Sequence, residues 1–248
     1  AVAIGGGSTT GLGKAIALES KVQIVAVPTT YAGSEMTPVY GLTEGGVKRT
    51  GRDERVRPKC VIYAPELTLA LPWNVTVTSA FNAIAHAAEG LYAPDGNPIV
   101  ALMAEEGIRA GAAALPRLRA DVRDLGARSD ALYAAWLCGS VMGMITVGLH
   151  HKLCHTLGGS FNLPHADVHT VVLPHALAYN AAAAPEALRR IARALGVDAS
   201  EVPSALQALA RRYGAPTSLA ALGMPASGLD RAADLAVQNQ YGNPRALE

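Results

Sequence analysis

The stretch AVAIGGGSTTGLGKAIALESKVQIVAV, residues 1–27, restricts the fold more than any other. Two short apolar runs, AVAI (1–4) and VQIVAV (22–27), flank a glycine turn and a helical segment, GLGKAIALES. A strand that passes through a glycine turn into a helix, and then into a second strand, builds a parallel sheet. A further apolar run, CVIYA (60–64), adds a third buried strand. Consecutive glycines let the backbone approach a ligand closely. Ser8, Thr9 and the helix N-terminus then offer hydroxyl and N–H donors to a phosphate. The turn is neither a Walker loop nor a strict GxGxxG, and a plain tight turn is the competing reading.

A second turn, VPTTYAGSEMTP (27–38), follows the second strand. Thr29, Thr30 and Ser34 cluster there, at the carboxyl edge of a parallel sheet, where ligands bind. Pyrophosphate or a nicotinamide amide fits such a loop; a Ser/Thr-rich turn is the plainer alternative. The polar segment LTEGGVKRTGRDERV (42–56) reads as a hairpin or loop.

From about residue 73 the strand pattern stops. SAFNAIAHAAEGLYA, PIVALMAEEGIRAGAAAL, ARSDALYAAWLCGSVMGM, PEALRRIARALG and PSALQALARRYG all repeat apolar residues three and four apart. Pro185 and Pro203 mark helix starts, and Gly196 and Gly214 mark helix ends. The chain therefore divides into an α/β domain, residues 1–72, and an all-helical domain, residues 73–248. It opens directly on a strand, without Met, and reads like the middle of a domain.

Half of the residues are hydrophobic and 17% are charged, so a large core is available. The net charge is +1 with scattered basic residues, which gives no electrostatic case for nucleic acid or an anionic membrane as partner. No apolar run approaches the roughly 18 residues of a membrane span. Cys60, Cys138 and Cys154 lack CxxC spacing and read as free thiols in a reducing compartment. With no signal-peptide pattern visible, the cytoplasm is expected.

Chemistry concentrates in HHKLCHTLGGSFNLPHADVHTVVLPH, residues 150–175, which holds six of the seven histidines. His151 and His155 lie four apart on one helical face, as do Asn82 and His86 in an earlier helix. His165, after Pro164, can fold back toward the first pair. Two such pairs and a loop histidine make a convergent polar site. A divalent metal would want a carboxylate among its ligands, but Asn82 is an amide. Glu89, three residues after His86, is a candidate supporting carboxylate, and Asp167 is the other one near in sequence. His150 should point away from the face of His151 and His155. With His169 and His175 it is read as structural, His175 lying at a helix start after Pro174.

The motifs GGGSTTGLGKAIAL, PTTYAGSEMTP, NAIAHAAEGLYA and HHKLCHTLGG…LPHADVHTVVLPHALAYN together resemble the iron-containing alcohol dehydrogenase superfamily, and most closely its maleylacetate reductase branch. The resemblance runs to about residue 245. It implies a partial Rossmann-like nucleotide domain followed by an all-helical catalytic domain, the dehydroquinate synthase-like architecture, with the active site in the cleft between them. The family carries a longer segment ahead of the glycine loop. Its metal-dependent members hold the ion at positions matching Asn82, His86, His151 and His165. With Asp replaced by Asn82 no metal is expected; were one present, His86, His151 and His165 would hold it. Gly6, Gly7 and Ser8 match the pyrophosphate loop, Thr29 and Thr30 the cofactor cleft, and Lys48 a lysine near the cofactor ribose.

The reaction implied is reduction of the carbon–carbon double bond of maleylacetate by NADH or NADPH. His155 is then the expected acid, with His151 and His165 as oxyanion donors. Lys152, and less convincingly Arg49, would pair with the carboxylates of this small dicarboxylate substrate. A homodimer is expected by the same resemblance. The alternatives are a metal-dependent alcohol dehydrogenase and, outside enzymes, a truncated ligand- or partner-binding module.

Overall fold

The computed structural model describes residues 1–44, 47–238 and 240–247, with the side chains of 43–49 excepted. Its first part contains β1 (Val2–Gly5), α1 (Gly7–Ser20) and β2 (Val25–Pro28). The hairpin β3 (Val39–Glu44) and β4 (Val47–Arg52) follows, and then the short β5 (Cys60–Val61). The three strands expected from the apolar runs form one parallel sheet in the order β1-β2-β5, with Ala3 opposite Ala26 and Val25 opposite Cys60. The polar segment 42–56 contributes to the antiparallel hairpin, paired from Val39–Arg52 to Glu44–Val47.

The sheet differs from expectation in its burial. Ala3, Ala17, Ile24 and Ala26 form a small core between sheet and α1. Val2 and Ile4, which alternate with Ala3, are 66% and 60% exposed. Successive strand side chains point to opposite faces, and α1 covers only one of them.

The second part is helical from Trp73 onward: α2 (Trp73–Gly90), α3 (Pro98–Ala120), α4 (Leu125–Met144), α5 (Leu149–Phe161), α6 (His165–Asn180), α7 (Pro185–Leu195), α8 (Val202–Arg212) and α9 (Leu229–Val237). Pro185 and Pro203 stand in first turns, where their missing N–H is harmless. Gly196 closes α7 in the left-handed conformation, φ 69°. Pro174 is not a helix start: it lies inside α6, so His175 is an exposed mid-helix residue.

α2 is the axis of the domain. Nearly every side chain from Thr76 to Gly90 is buried, and Phe81 and Ile84 are fully so. Burying one such side chain contributes about 1.5–3 kcal/mol. A central helix of this kind can carry polar groups out of water, and Asn82, His86 and Glu89 are on it. Among the described residues no single helix is long and apolar enough to cross a membrane.

Candidate active site

Three elements set the site: the middle of α2, the first turns of α5, and the start of α6. α4 and α5 are bent by 98° across a short break, which aims the N-terminus of α5 at α2. Gly148, the N-cap of α5, has no side chain to satisfy the first amides. Glu89 does so from α2: its carboxylate accepts from the Gly148 and His150 N–H groups, both at 2.8 Å. A buried anion at a helix N-terminus is stabilised by those donors and by the helix dipole. The same carboxylate lies 2.5 Å from His151 Nδ1. Burial alone would raise the Glu89 pKa, but the charge and hydrogen bond of His151 and the amide donors outweigh it and hold it at about 2.

His151 passes the line onward, with its Nε2 2.8 Å from His86 Nδ1 and the two rings stacked at 4.9 Å. Burial, followed by the neighbouring histidines, keeps the His86 pKa well below 6.5, so its ring is neutral. Both nitrogens of His151 are thus occupied by protein, which differs from the direct oxyanion contact expected of it. His155 and His165 stand at the open side. Their rings are near parallel, 6.3 Å between centroids at 7°, and His165 is exposed while His155 is half-buried.

Asn82 is buried one turn from His86 and donates to the Ala32 carbonyl at 3.5 Å. Its Oδ1 is buried with no hydrogen-bond partner among the described residues. Ala32 belongs to the hydroxyl-rich turn, so this contact joins the α/β part to the histidines. Tyr31 reinforces the join, its N–H donating to Ser79 Oγ (3.3 Å) and its hydroxyl bonding Arg128 (2.9 Å). In the turn, Gly33 (φ 80°) packs backbone to backbone on α4: a Cβ there would stand 2.9 Å from Gly139 Cα.

The glycine loop and this turn also meet. Thr29 N–H donates to Gly5 O at 3.0 Å, and a Cβ on Gly6 would lie 2.8 Å from Thr30 Cγ2. Gly7 and Ser8 open α1, with free space around Gly7. Ser34 departs from the expected cluster: its carbonyl and hydroxyl accept from Lys14 Nζ at 2.7 and 3.4 Å. The side chains of Lys48 and Arg49 lie outside the described residues. Lys152 places its ammonium 5.5 Å over the Tyr241 ring, whose hydroxyl is 3.2 Å from His155 Nδ1. Tyr241 carried no signal in the sequence, because only the returning C-terminal segment brings it here.

His150 and His169, read from the sequence as structural, lie in the interior. Both are fully buried, with His150 Nε2 2.8 Å from His169 Nδ1, and His169 Nε2 continues to His165 Nε2 at 3.2 Å. His150 does leave the face of His151 and His155, but α6 covers that side too.

The four positions that resemblance ties to a metal fit an iron centre poorly. They supply three imidazoles and an amide, without the carboxylate of a two-histidine, one-carboxylate site. His86 and His151 bond each other, and His165 Nε2 bonds His169.

Comparison with known proteins gives a consistent answer. Residues 76–248 match the Fe-containing alcohol dehydrogenase family, C-terminal, and residues 1–65 match iron-containing alcohol dehydrogenase. The maleylacetate reductase of Burkholderia cepacia is 69% identical over 248 residues, 100% of this chain and 70% of that protein. The maleylacetate reductase of Pseudomonas knackmussii is 60% identical, again over 100% and 70% of the two. The crystal structure of maleylacetate reductase from Agrobacterium tumefaciens superposes with a TM-score of 0.94 at 55% identity, covering 100% of this chain and 70% of that one. The small parallel sheet with its helical domain, the turn joined to α2, and the matches along nearly the whole length agree: the chain belongs to the iron-containing alcohol dehydrogenase family.

Proposed function

We propose that the chain is a maleylacetate reductase, which transfers a hydride from NADH or NADPH to the double bond of maleylacetate and yields 3-oxoadipate. The observation that carries this reading is the imidazole cluster that starts one helical turn from an amide, Asn82, in a chain 69% identical to a named maleylacetate reductase. The substrate is a 4-oxo-2-enedioate. Hydride adds to the carbon β to the ketone, the π electrons move onto the ketone oxygen as an enolate, and a proton then closes the adjacent carbon. The protein must steady the enolate oxygen and supply the proton.

In this proposal His155 gives the proton and His165 donates to the oxygen, both being at the open side of the cluster. An imidazole titrates close enough to neutrality to do either. Tyr241 orients His155 through their 3.2 Å contact. Glu89 and His151 act through His86, fixing its orientation and which of its nitrogens carries the proton. Lys152 meets a substrate carboxylate. Gly6, Gly7 and Ser8 hold the cofactor pyrophosphate on the α1 N-terminus, with Thr29 and Thr30 alongside. No metal touches the substrate, and no step requires one. The working form is a cytoplasmic homodimer; the absence of disulfides among the three cysteines fits a reducing compartment.

The test is maleylacetate-dependent oxidation of NADH and NADPH, followed by absorbance. His155→Ala should lower kcat by roughly 10²–10⁴-fold, the usual worth of a positioned proton donor, while NADH still binds. Unchanged turnover in that variant removes His155 from the role, and no turnover of maleylacetate by the unaltered chain removes the proposal.

A further inference from the structure

Directly behind the candidate active site, three more side chains converge. His150 and Cys154 lie four apart on α5, and His169 reaches them from α6; all three are 0% exposed. Their donor atoms all lie within 4.8 Å of one another. His150 Nε2 is 2.8 Å from His169 Nδ1 and 3.6 Å from Cys154 Sγ. None of the three belongs to the Asn82, His86, His151 and His165 set.

We infer that His150, Cys154 and His169 form a binding site for a thiophilic divalent cation, with Zn²⁺ as the type. The donor set is soft, two imidazoles and one sulfur, which selects such ions over Mg²⁺ or Ca²⁺. Zinc binds nitrogen at about 2.0–2.1 Å and sulfur at about 2.3 Å, so neighbouring donors of a tetrahedral site stand roughly 3.3–3.6 Å apart. The separation of Cys154 Sγ from His150 Nε2 already matches, and its separation from the His169 ring nitrogen lies within 4.8 Å. The nitrogen pair must open by roughly half an ångström, a side-chain adjustment.

His150 Nδ1 is buried without a hydrogen-bond partner among the described residues, so the protein does not compel Nε2 to keep the proton. Burial and the nearby Glu89 hold the Cys154 thiol well above 9, so it arrives protonated. On binding, its S–H bond breaks, the proton leaves to solvent and a sulfur–metal bond forms, with no change of oxidation state.

The three ligands leave one coordination position open. His165 is the exposed neighbour, to which His169 Nε2 bonds at 3.2 Å. A cation on His169 Nδ1 leaves the proton on Nε2 and so makes His165 Nε2 an acceptor. Occupation therefore fixes the proton arrangement of a substrate-facing histidine. Only this coupling to turnover rests on the proposed reductase activity; the binding site stands without it.

Co²⁺ is the probe, because a cobalt–thiolate bond gives a near-ultraviolet charge-transfer band that nitrogen and oxygen ligands do not. The full chain carries Cys60→Ser, which removes the exposed thiol. One equivalent of Co²⁺ should give the band, and Zn²⁺ should displace it. Cys154→Ser and His169→Gln should each abolish the band, with folding checked by circular dichroism, and His86→Gln should keep it. Two variants are used so that a folding defect in one leaves the other decisive. Failure to bind Co²⁺, binding without the band, a band that survives both variants, or one lost in folded His86→Gln would overturn the assignment, whether or not the enzyme reduces maleylacetate.

Discussion

The two parts of the chain bury charge for different ends. In the α/β part, Lys14 is buried in α1 and its ammonium donates to Ser34 O (2.7 Å), Thr37 Oγ1 (2.9 Å) and Val39 O (2.6 Å). In the helical part, Glu89 is buried in α2 and accepts from two amides and His151. The first group joins the glycine-loop helix to the turn at 34–39, beside a small apolar cluster of Ala3, Ala17, Ile24 and Ala26 with Val61 packed on it. The second sits beside the largest apolar cluster and starts the line toward His86. Where the core is thin, a buried charge acts as a peg; where it is thick, burial sets the protonation states that chemistry needs.

The comparison breaks most sharply at Glu89. Glu89→Leu leaves the Gly148 and His150 amides and His151 without their acceptor, and removing one member of a buried charged network costs about 3–5 kcal/mol. Urea unfolding at neutral pH should show that loss, and Glu89→Gln a smaller one. Lys14→Met comes next. It takes the lysine donor from Val39 O, while Ser34 O keeps the Thr37 N–H and hydroxyl, with an expected cost of about 1–3 kcal/mol. Hydrogen exchange should quicken over residues 34–39 while α2 stays protected. A Lys14→Met variant that exposes α2 equally would remove the distinction between peg and chemistry.

The two parts should also answer pH differently. His86, His150 and His169 have folded pKa values below the ordinary 6.5, through burial. The unfolded chain then binds more protons, so their contribution is full above pH 6.5 and is lost as pH falls. Glu89, at about 2 against 4.5, adds a loss of the same sign below pH 4.5. In the α/β part, burial raises Glu35 from 4.5 to about 7, so its contribution is full below 4.5 and lost as pH rises toward 7. Burial lowers Lys14 from 10.5 to about 7, and its contribution is lost as pH falls from 10.5 toward 7. The α/β part should therefore be at its weakest near pH 7, and the helical part should weaken only below about 6.5. Exchange protection read separately for α1 and α2 across pH checks this.

Much of this contrast was legible in the sequence, and the remainder depended on packing. The parallel strands showed as apolar runs between turns, and the helices as apolar residues three and four apart. Asn82, His86, His151, His155 and His165 showed by spacing and resemblance, and Glu89 by standing three residues after His86. Lys14 gave no signal, since a lysine in a helix reads as solvated until the 34–39 turn closes over it. His150 and His169 read as structural, but their pairing across α5 and α6 was not legible, because one helix face was considered and α5 is buried on more than one side. Tyr241 lay too far along the chain for local reasoning to connect it with His155.

A smaller effect sharpens the cofactor side. A methyl at Gly6 meets Thr30 Cγ2, and forcing extra volume into such a contact costs roughly 1–3 kcal/mol. Gly6→Ala should weaken NADH binding, measured by fluorescence titration, and leave the helical part as stable as before.

The account rests on histidines performing the reduction without a metal. The direct measurement is kcat for maleylacetate reduction after exhaustive chelation, with the metal content of the same sample determined. Turnover that persists in metal-free protein is the predicted result. Turnover that disappears on chelation and returns in proportion to added Fe²⁺ or Zn²⁺ would contradict it.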